Sequence, residues 1–150
     1  MEQLIRALGP IVYIDANIVI YAVEGFSAFQ PVLHVLLQCV DDEKLRLVTS
    51  ELTLAEVLVK PIENRDSVIQ QAYRAFLEPT AQVAVVPVSR TILESAARTR
   101  AETGVKLPDA IHIATAKQQE CTSFLTNDRL IRSITDFRVM RINELIGLQG

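Results

Sequence analysis

The chain has 150 residues, 49% of them hydrophobic and 22% charged, with 15 Lys and Arg against 18 Asp and Glu for a net charge of −3. That length predicts a single domain, residues 1–150, with enough chain for a sizeable core, and the composition excludes a disordered polar chain. A slightly acidic balance without a strongly basic run argues against a nucleic-acid partner on charge alone. Cys39 and Cys121 stand far apart without CxxC spacing, so neither a zinc site nor a disulfide framework is expected, and reduced thiols suit a cytoplasmic protein. The longest uncharged run, Gly25 to Val40, contains Ser27, Gln30, Pro31, His34 and Gln38, which speaks against a membrane span.

Taken in order, "MEQLIRALGP" carries Leu4, Ile5 and Leu8 at helical spacing, a short helix packed on the body or at a dimer contact. Ile11 to Ile14 predicts a buried strand, and the apolar stretch after Asn17 a helix. "PVLHVLLQCVDDE" reads as a helix and "LRLVTS" as a strand. "SELTLAEVLVK" predicts a helix with Ser50 as N-cap that ends before Pro61. "ENRDSVIQQAYRAFLEP" gives a further helix and "QVAVVPV" a strand. "SRTILESAARTRAETG" predicts a helix capped by Ser89 and closed by Gly104, with a core stripe of Ile92, Leu93, Ala96 and Ala97. "LPDAIHIATAKQQ" is a helix apolar over most of its surface and therefore buried. "TSFLT" is a strand, "NDRLIRSI" a short helix, "FRVMRI" a last strand and "NELIGL" a terminal helix. Strands alternating with helices predict an α/β/α sandwich on a central parallel sheet, whose sites form outside the carboxyl ends of the strands.

Two acids fall at those ends, Asp15 after "IVYI" and Asp128 after "SFLT". Asp109 and Glu56 sit in helices within apolar sequence, and Leu52 and Val59 place apolar partners on the side of Glu56. Each acid alone has an ordinary explanation: a cap for Asp128, a dipole partner for Asp109. None of these explains the group. A pair of carboxylates at 4 Å repels by about 4 kcal/mol at an effective dielectric near 20. Four together are tolerable only with protonation or bound divalent cations. Asp and Glu oxygens without His or Cys at matching spacing suit Mg²⁺ or Mn²⁺ rather than Zn²⁺, and such sites perform phosphate-ester chemistry. His112, one turn after Asp109, is read as a packed or hydrogen-bonded histidine, since hard oxygen sites rarely recruit imidazole.

The segments "YIDANIVIY", "SELTLAEVL", "LPDAIHIATA" and "FLTNDRLI", in that order, resemble the four acidic motifs of the PIN domain, a metal-dependent ribonuclease fold, and of its VapC-type toxins in particular. The resemblance runs from Ile11 to the C-terminus. It implies catalytic and metal-site acids at Asp15, Glu56, Asp109 and Asp128, and supporting polar roles for Asn17, Thr53 and Thr126. It further implies an Mg²⁺- or Mn²⁺-dependent endoribonuclease, an RNA substrate, a cognate antitoxin covering the cleft, and a homodimer. A mean hydropathy of +0.24 is compatible with association.

Setting the four acids aside leaves 14 acids against 15 bases, so the apparent acidity is largely the site itself. Arg90, Arg98, Arg100, Lys106, Arg129 and Arg132 flank the motif segments as candidates for phosphate contacts, each of which is also an ordinary solvated side chain. With no Trp, three Tyr and five Phe, a stacking platform for single strands is not evident. Other readings stay open: a PIN nuclease without an antitoxin, or a PIN fold that only binds RNA or protein. A phosphatase of the haloacid dehalogenase type needs Asp-x-Asp where this chain has Asp15-Ala16-Asn17, and a receiver-like module needs adjacent acids that are absent.

Overall fold

The computed structural model describes residues 1–129, 131 and 138–148. Within them, α1 (Glu2–Leu8) precedes β1 (Ile11–Ile14), α2 (Ala16–Glu24), α3 (Gln30–Asp41) and β2 (Arg46–Ser50). Then come α4 (Glu51–Glu63), α5 (Ser67–Phe76), β3 (Val83–Val86), α6 (Arg90–Thr103), α7 (Leu107–Gln118), β4 (Ser123–Thr126), β5 (Arg138–Arg141) and a 3₁₀ turn, Ile142–Leu145. The five strands form one sheet in the order β3-β2-β1-β4-β5, every pair parallel. The expected sandwich on a parallel sheet is therefore the observed architecture.

Alternation along the strands sorts side chains onto two faces. Val12, Ile14, Leu47, Val85 and Leu125 join the larger core with Leu4 and Leu8 of α1, Ile18 and Val19 of α2, Leu33 and Leu36 of α3, Val57 of α4 and Tyr73 of α5. Tyr13, Val48, Phe124 and Val139 face the other way, onto Ile113 and Ala116 of α7. Helix α6 then packs on α7, Ile92 and Ala96 meeting Ala110 and Ala114. Small residues on both helices allow that close approach.

The N-terminal segment packs on the body, with Leu4 and Leu8 fully buried. Gly9 turns the chain into β1 at φ 75°, where a Cβ would stand 2.7 Å from the Thr122 hydroxyl. The chemistry of the caps is as expected at Ser50, Ser89 and Gly104: Ser50 accepts from the Leu52 N–H at 3.0 Å, Ser89 from the Ile92 N–H at 3.2 Å, and Gly104 closes α6 in the left-handed region.

Two local expectations change, and a third lies partly outside the described residues. Helix α4 runs through Pro61 to Glu63. Proline removes the bond to the Val57 carbonyl, but Val57 and Pro61 are both buried, one turn apart, and only two residues follow. The Pro61 carbonyl is itself taken by the Asp66 N–H at 2.8 Å and by the Gln70 amide at 3.2 Å. In α6 only Ile92 and Ala96 are buried, and Leu93 is 49% exposed with Ala97 also facing out, because α7 covers a single narrow stripe. The expected helix over 127–134 extends outside the described residues, as does the candidate phosphate contact Arg132.

Candidate active site

Strand order reverses between β1 and β4: the chain leaves β1 for β2 and β3 on one side and returns to β4 on the other. A crevice outside the carboxyl ends of strands forms at such a switch point. Asp15 follows β1 directly and caps α2, its Oδ1 accepting from the Ile18 N–H at 3.2 Å. Its Oδ2 accepts from the hydroxyl of Thr126, the last residue of β4, at 2.5 Å. The Thr126 oxygen in turn accepts from the Asp128 N–H at 2.9 Å. One threonine thus couples two of the four acids.

Asp15 is 7% exposed. Burial pushes its pKa up to about 6, against the lowering effects of the Thr126 hydroxyl, His112 and the Ile18 N–H, while Asp109 adds to the rise. Asp109, half-buried on the first turn of α7, is raised by burial and then by Asp128 and Glu56, with His112 and Lys106 opposing. Asp109 thus acts on Asp15, and Asp128 and Glu56 act on Asp109. Among the described residues, however, no three His, Cys, Asp or Glu side chains stand close enough to hold an ion by themselves. Burial and mutual repulsion leave these hard oxygen donors short of positive charge.

Glu56 differs from the sequence expectation. Its side chain is 33% exposed and Val59 beside it is 55% exposed, so apolar neighbours do not explain its position. Its Oε1 instead lies 2.6 Å from Nε2 of His112 on α7, whose Nδ1 lies 2.5 Å from the hydroxyl of Tyr13 on β1. His112 is 2% exposed and Tyr13 fully buried. The expectation of a hydrogen-bonded histidine describes His112 well, and its partners could not be read from the sequence.

Of the supporting residues, Thr126 is fully buried and donates to Asp15. Thr53 is fully buried, its hydroxyl 2.8 Å from that of Thr49, which donates to the Ile14 carbonyl at 2.8 Å. Thr53 therefore braces the end of β1 from beneath, at one remove from the carboxylates. Asn17 is exposed on the first turn of α2. Thr49 and Tyr13 were missed; a Thr-x-x-x-Thr spacing from strand end to helix was the available signal for the first.

Among the basic candidates, Arg100 is committed to the carbonyls of Gly104 and Val105 at 2.5 and 3.1 Å, so it closes α6. Lys106, exposed at the start of α7, opposes the rise in the Asp109 pKa. Arg90, Arg98 and Arg129 are exposed. The aromatic residues, few as they are, gather unexpectedly: Tyr21, Phe26 and Phe29 pack with centroids 5.0–5.2 Å apart, and the Tyr21 hydroxyl accepts from the Asn127 amide at 2.9 Å.

A parallel sheet of five strands, with Asp15 following β1 and Asp128 following β4, defines an α/β/α protein. A family model of the PIN domain matches residues 12–136, and the chain belongs to the PIN domain family. No curated protein matches it. Among solved structures it resembles VapBC2 from Rickettsia felis bound to a promoter DNA fragment, at 15% identity and a TM-score of 0.69 over 87% of this chain and 98% of that one. A toxin–antitoxin complex from Klebsiella pneumoniae is similar at 23% identity and a TM-score of 0.65, over 87% and 97% of the two chains. VapC20 from Mycobacterium tuberculosis, described as a toxin cleaving the sarcin–ricin loop, is similar at 14% identity and a TM-score of 0.62, over 85% and 98%. These likenesses are of fold. No described helix is long and apolar enough to cross a membrane.

Proposed function

We infer that this chain is a divalent-metal-dependent endoribonuclease and the toxin half of a toxin–antitoxin pair. The observation that carries the reading is the coupling of Asp109 to Asp15 and of Asp128 and Glu56 to Asp109, beside the hydrogen bond from Thr126 that ties Asp15 to the end of β4. Membership of the PIN domain family and the likeness of fold to toxin–antitoxin structures support it.

Asp15 and Asp109 would hold Mg²⁺ or Mn²⁺, with Glu56 and Asp128 contributing directly or through water. Bound there, the cation would supply Lewis-acid polarisation of the scissile phosphodiester and offset its charge. The rest falls to the chain's own groups. Thr126 fixes the Asp15 carboxylate with a charge-assisted hydrogen bond and keeps one oxygen aligned with the crevice. Thr49 and Thr53 hold the end of β1 against lateral shift. Lys106 is placed to attract a phosphate beside Asp109. Asn17, exposed two residues after Asp15 on the first turn of α2, is assigned to the substrate side. An antitoxin segment would cover this crevice, the toxin would act as a homodimer in the cytoplasm, and residues 1–150 would form one domain.

The test is incubation with structured RNAs and Mg²⁺ or Mn²⁺, mapping cut sites. Asp15→Asn and Asp109→Asn should each lower cleavage at least about 100-fold, a loss of roughly 3 kcal/mol in the barrier, with unchanged circular dichroism. Undiminished cleavage by either variant, or activity that survives EDTA, would sink the reading. Cleavage without a growth effect and without a co-purifying partner would instead favour a nuclease that has no antitoxin.

A further inference from the structure

The chain Tyr13–His112–Glu56 joins a core strand, a buried helix and the rim of the crevice, and the site as described above gives its middle member no task. His112 is 2% exposed, and both ring nitrogens are within hydrogen-bond distance of a partner, Nδ1 at 2.5 Å from Tyr13 Oη and Nε2 at 2.6 Å from Glu56 Oε1. The ring of Tyr13 is stacked on Phe124 with centroids 4.8 Å apart, so the anchor of the chain cannot swing. Glu56, by contrast, is a long side chain on the exposed part of α4. Left alone it would lose considerable rotamer freedom on being held in one place.

We propose that His112 is a positioning residue for Glu56: with Tyr13 engaging Nδ1, Nε2 donates to Oε1 of Glu56, leaving Oε2 as the oxygen available to the crevice. The direction of the chain follows from its outer end. A carboxylate oxygen only accepts, so Nε2 is the donor of the 2.6 Å contact to Oε1, and the buried Tyr13 hydroxyl engages Nδ1 at 2.5 Å. Partners of this kind, which orient a ligand without touching the ion, ordinarily govern affinity by 10- to 100-fold. The role rests on the reading that Glu56 serves the metal site.

Two measurements test it. With only His34 and His112 in the chain, a long-range ¹H–¹⁵N spectrum of the unmodified protein in EDTA at neutral pH resolves both imidazoles, and His34→Gln assigns them. His112 should carry a proton on Nε2, and Tyr13→Phe should weaken that preference. A ring with its proton on Nδ1 alone in the unmodified protein overturns the proposal. Second, Mn²⁺ binding followed by electron paramagnetic resonance should weaken by about 10- to 100-fold in His112→Asn, whose shorter amide cannot reach Glu56. In His112→Gln the longer amide restores the donor, and affinity should return to within about threefold of the unmodified protein, in keeping with an orienting role. Equal affinities in the Asn and Gln variants, at equal melting temperature, overturn the proposal while the metal site stands. No Mn²⁺ binding by the unmodified protein removes both.

Discussion

Two threonines bracket strand β4 and do opposite work. Thr122, just before it, accepts from the Ile11 N–H at 3.0 Å and shares its proton between the carbonyls of Leu8 and Ile11 at 3.0 and 2.7 Å. Thr126, at its other end, donates to a carboxylate and accepts from the backbone beside another. The first joins neutral main-chain groups and closes the N-terminal helix onto the sheet. The second stabilises a charge that burial opposes. One end of the sheet is thus tied through neutral main-chain groups, and the other holds a carboxylate whose charge burial opposes.

The comparison can be broken most forcefully at Gly9. Gly9→Ala forces a Cβ toward the Thr122 hydroxyl at a φ of 75°. It should cost about 3 kcal/mol in urea unfolding and leave RNA cleavage per folded molecule unchanged; lost cleavage at full stability would mean the two ends are not separable. At the opposite end the sign should reverse. Asp15 has a folded pKa near 6 against an ordinary 3.8, so the native state binds more protons than the unfolded chain between pH 4 and pH 6, and this group's effect on stability declines as pH rises through that window. Asp15→Asn should therefore stabilise the metal-free protein by about 2 kcal/mol at pH 7.5, and by almost nothing near pH 4. Added Mn²⁺ should narrow that difference by stabilising only the unmodified chain. A gain that persists unchanged at pH 4 would mean that charge is not its origin.

A smaller effect sharpens the role of the second threonine. Thr126→Val removes one donor from Asp15 and one acceptor from Asp128, and should cost about 1.5 kcal/mol at pH 7.5. Because that hydroxyl opposes the rise in the Asp15 pKa, the pH window should also move upward, read as a shifted stability–pH profile. Smallest of all, Leu93→Ser on the uncovered side of α6 should change stability by less than about 0.5 kcal/mol, since 49% exposure leaves little to lose.

Much of this arrangement was legible before any coordinates. Asp15 stood out because an apolar run delivers an acid to a strand end, and the strand-helix alternation located the crevice. Buried α7 was visible in its continuous apolar surface. Where the reading went astray, a local signal was offered a neighbour it did not have. Leu93 fits the helical stripe as well as Ile92 does, but only α7 lies alongside, and it covers one row. Pro61 marks a helix end by its own chemistry, yet burial beside Val57 carries α4 past it. Glu56 looked enclosed by Leu52 and Val59, whereas it stands at a rim and is held by a residue 56 positions away.

The sequence by itself determined the layers, the parallel sheet, the strand ends and the identities of the acids, because apolar periodicity, capping chemistry and the cost of burying charge all act over a few residues. Tertiary structure alone decided that Thr126 meets Asp15 across 111 residues, and that Tyr13 and Glu56 meet on one histidine. Such pairings depend on strand order and on which sheet face each side chain takes. Those follow from how whole elements pack together, which no local pattern encodes.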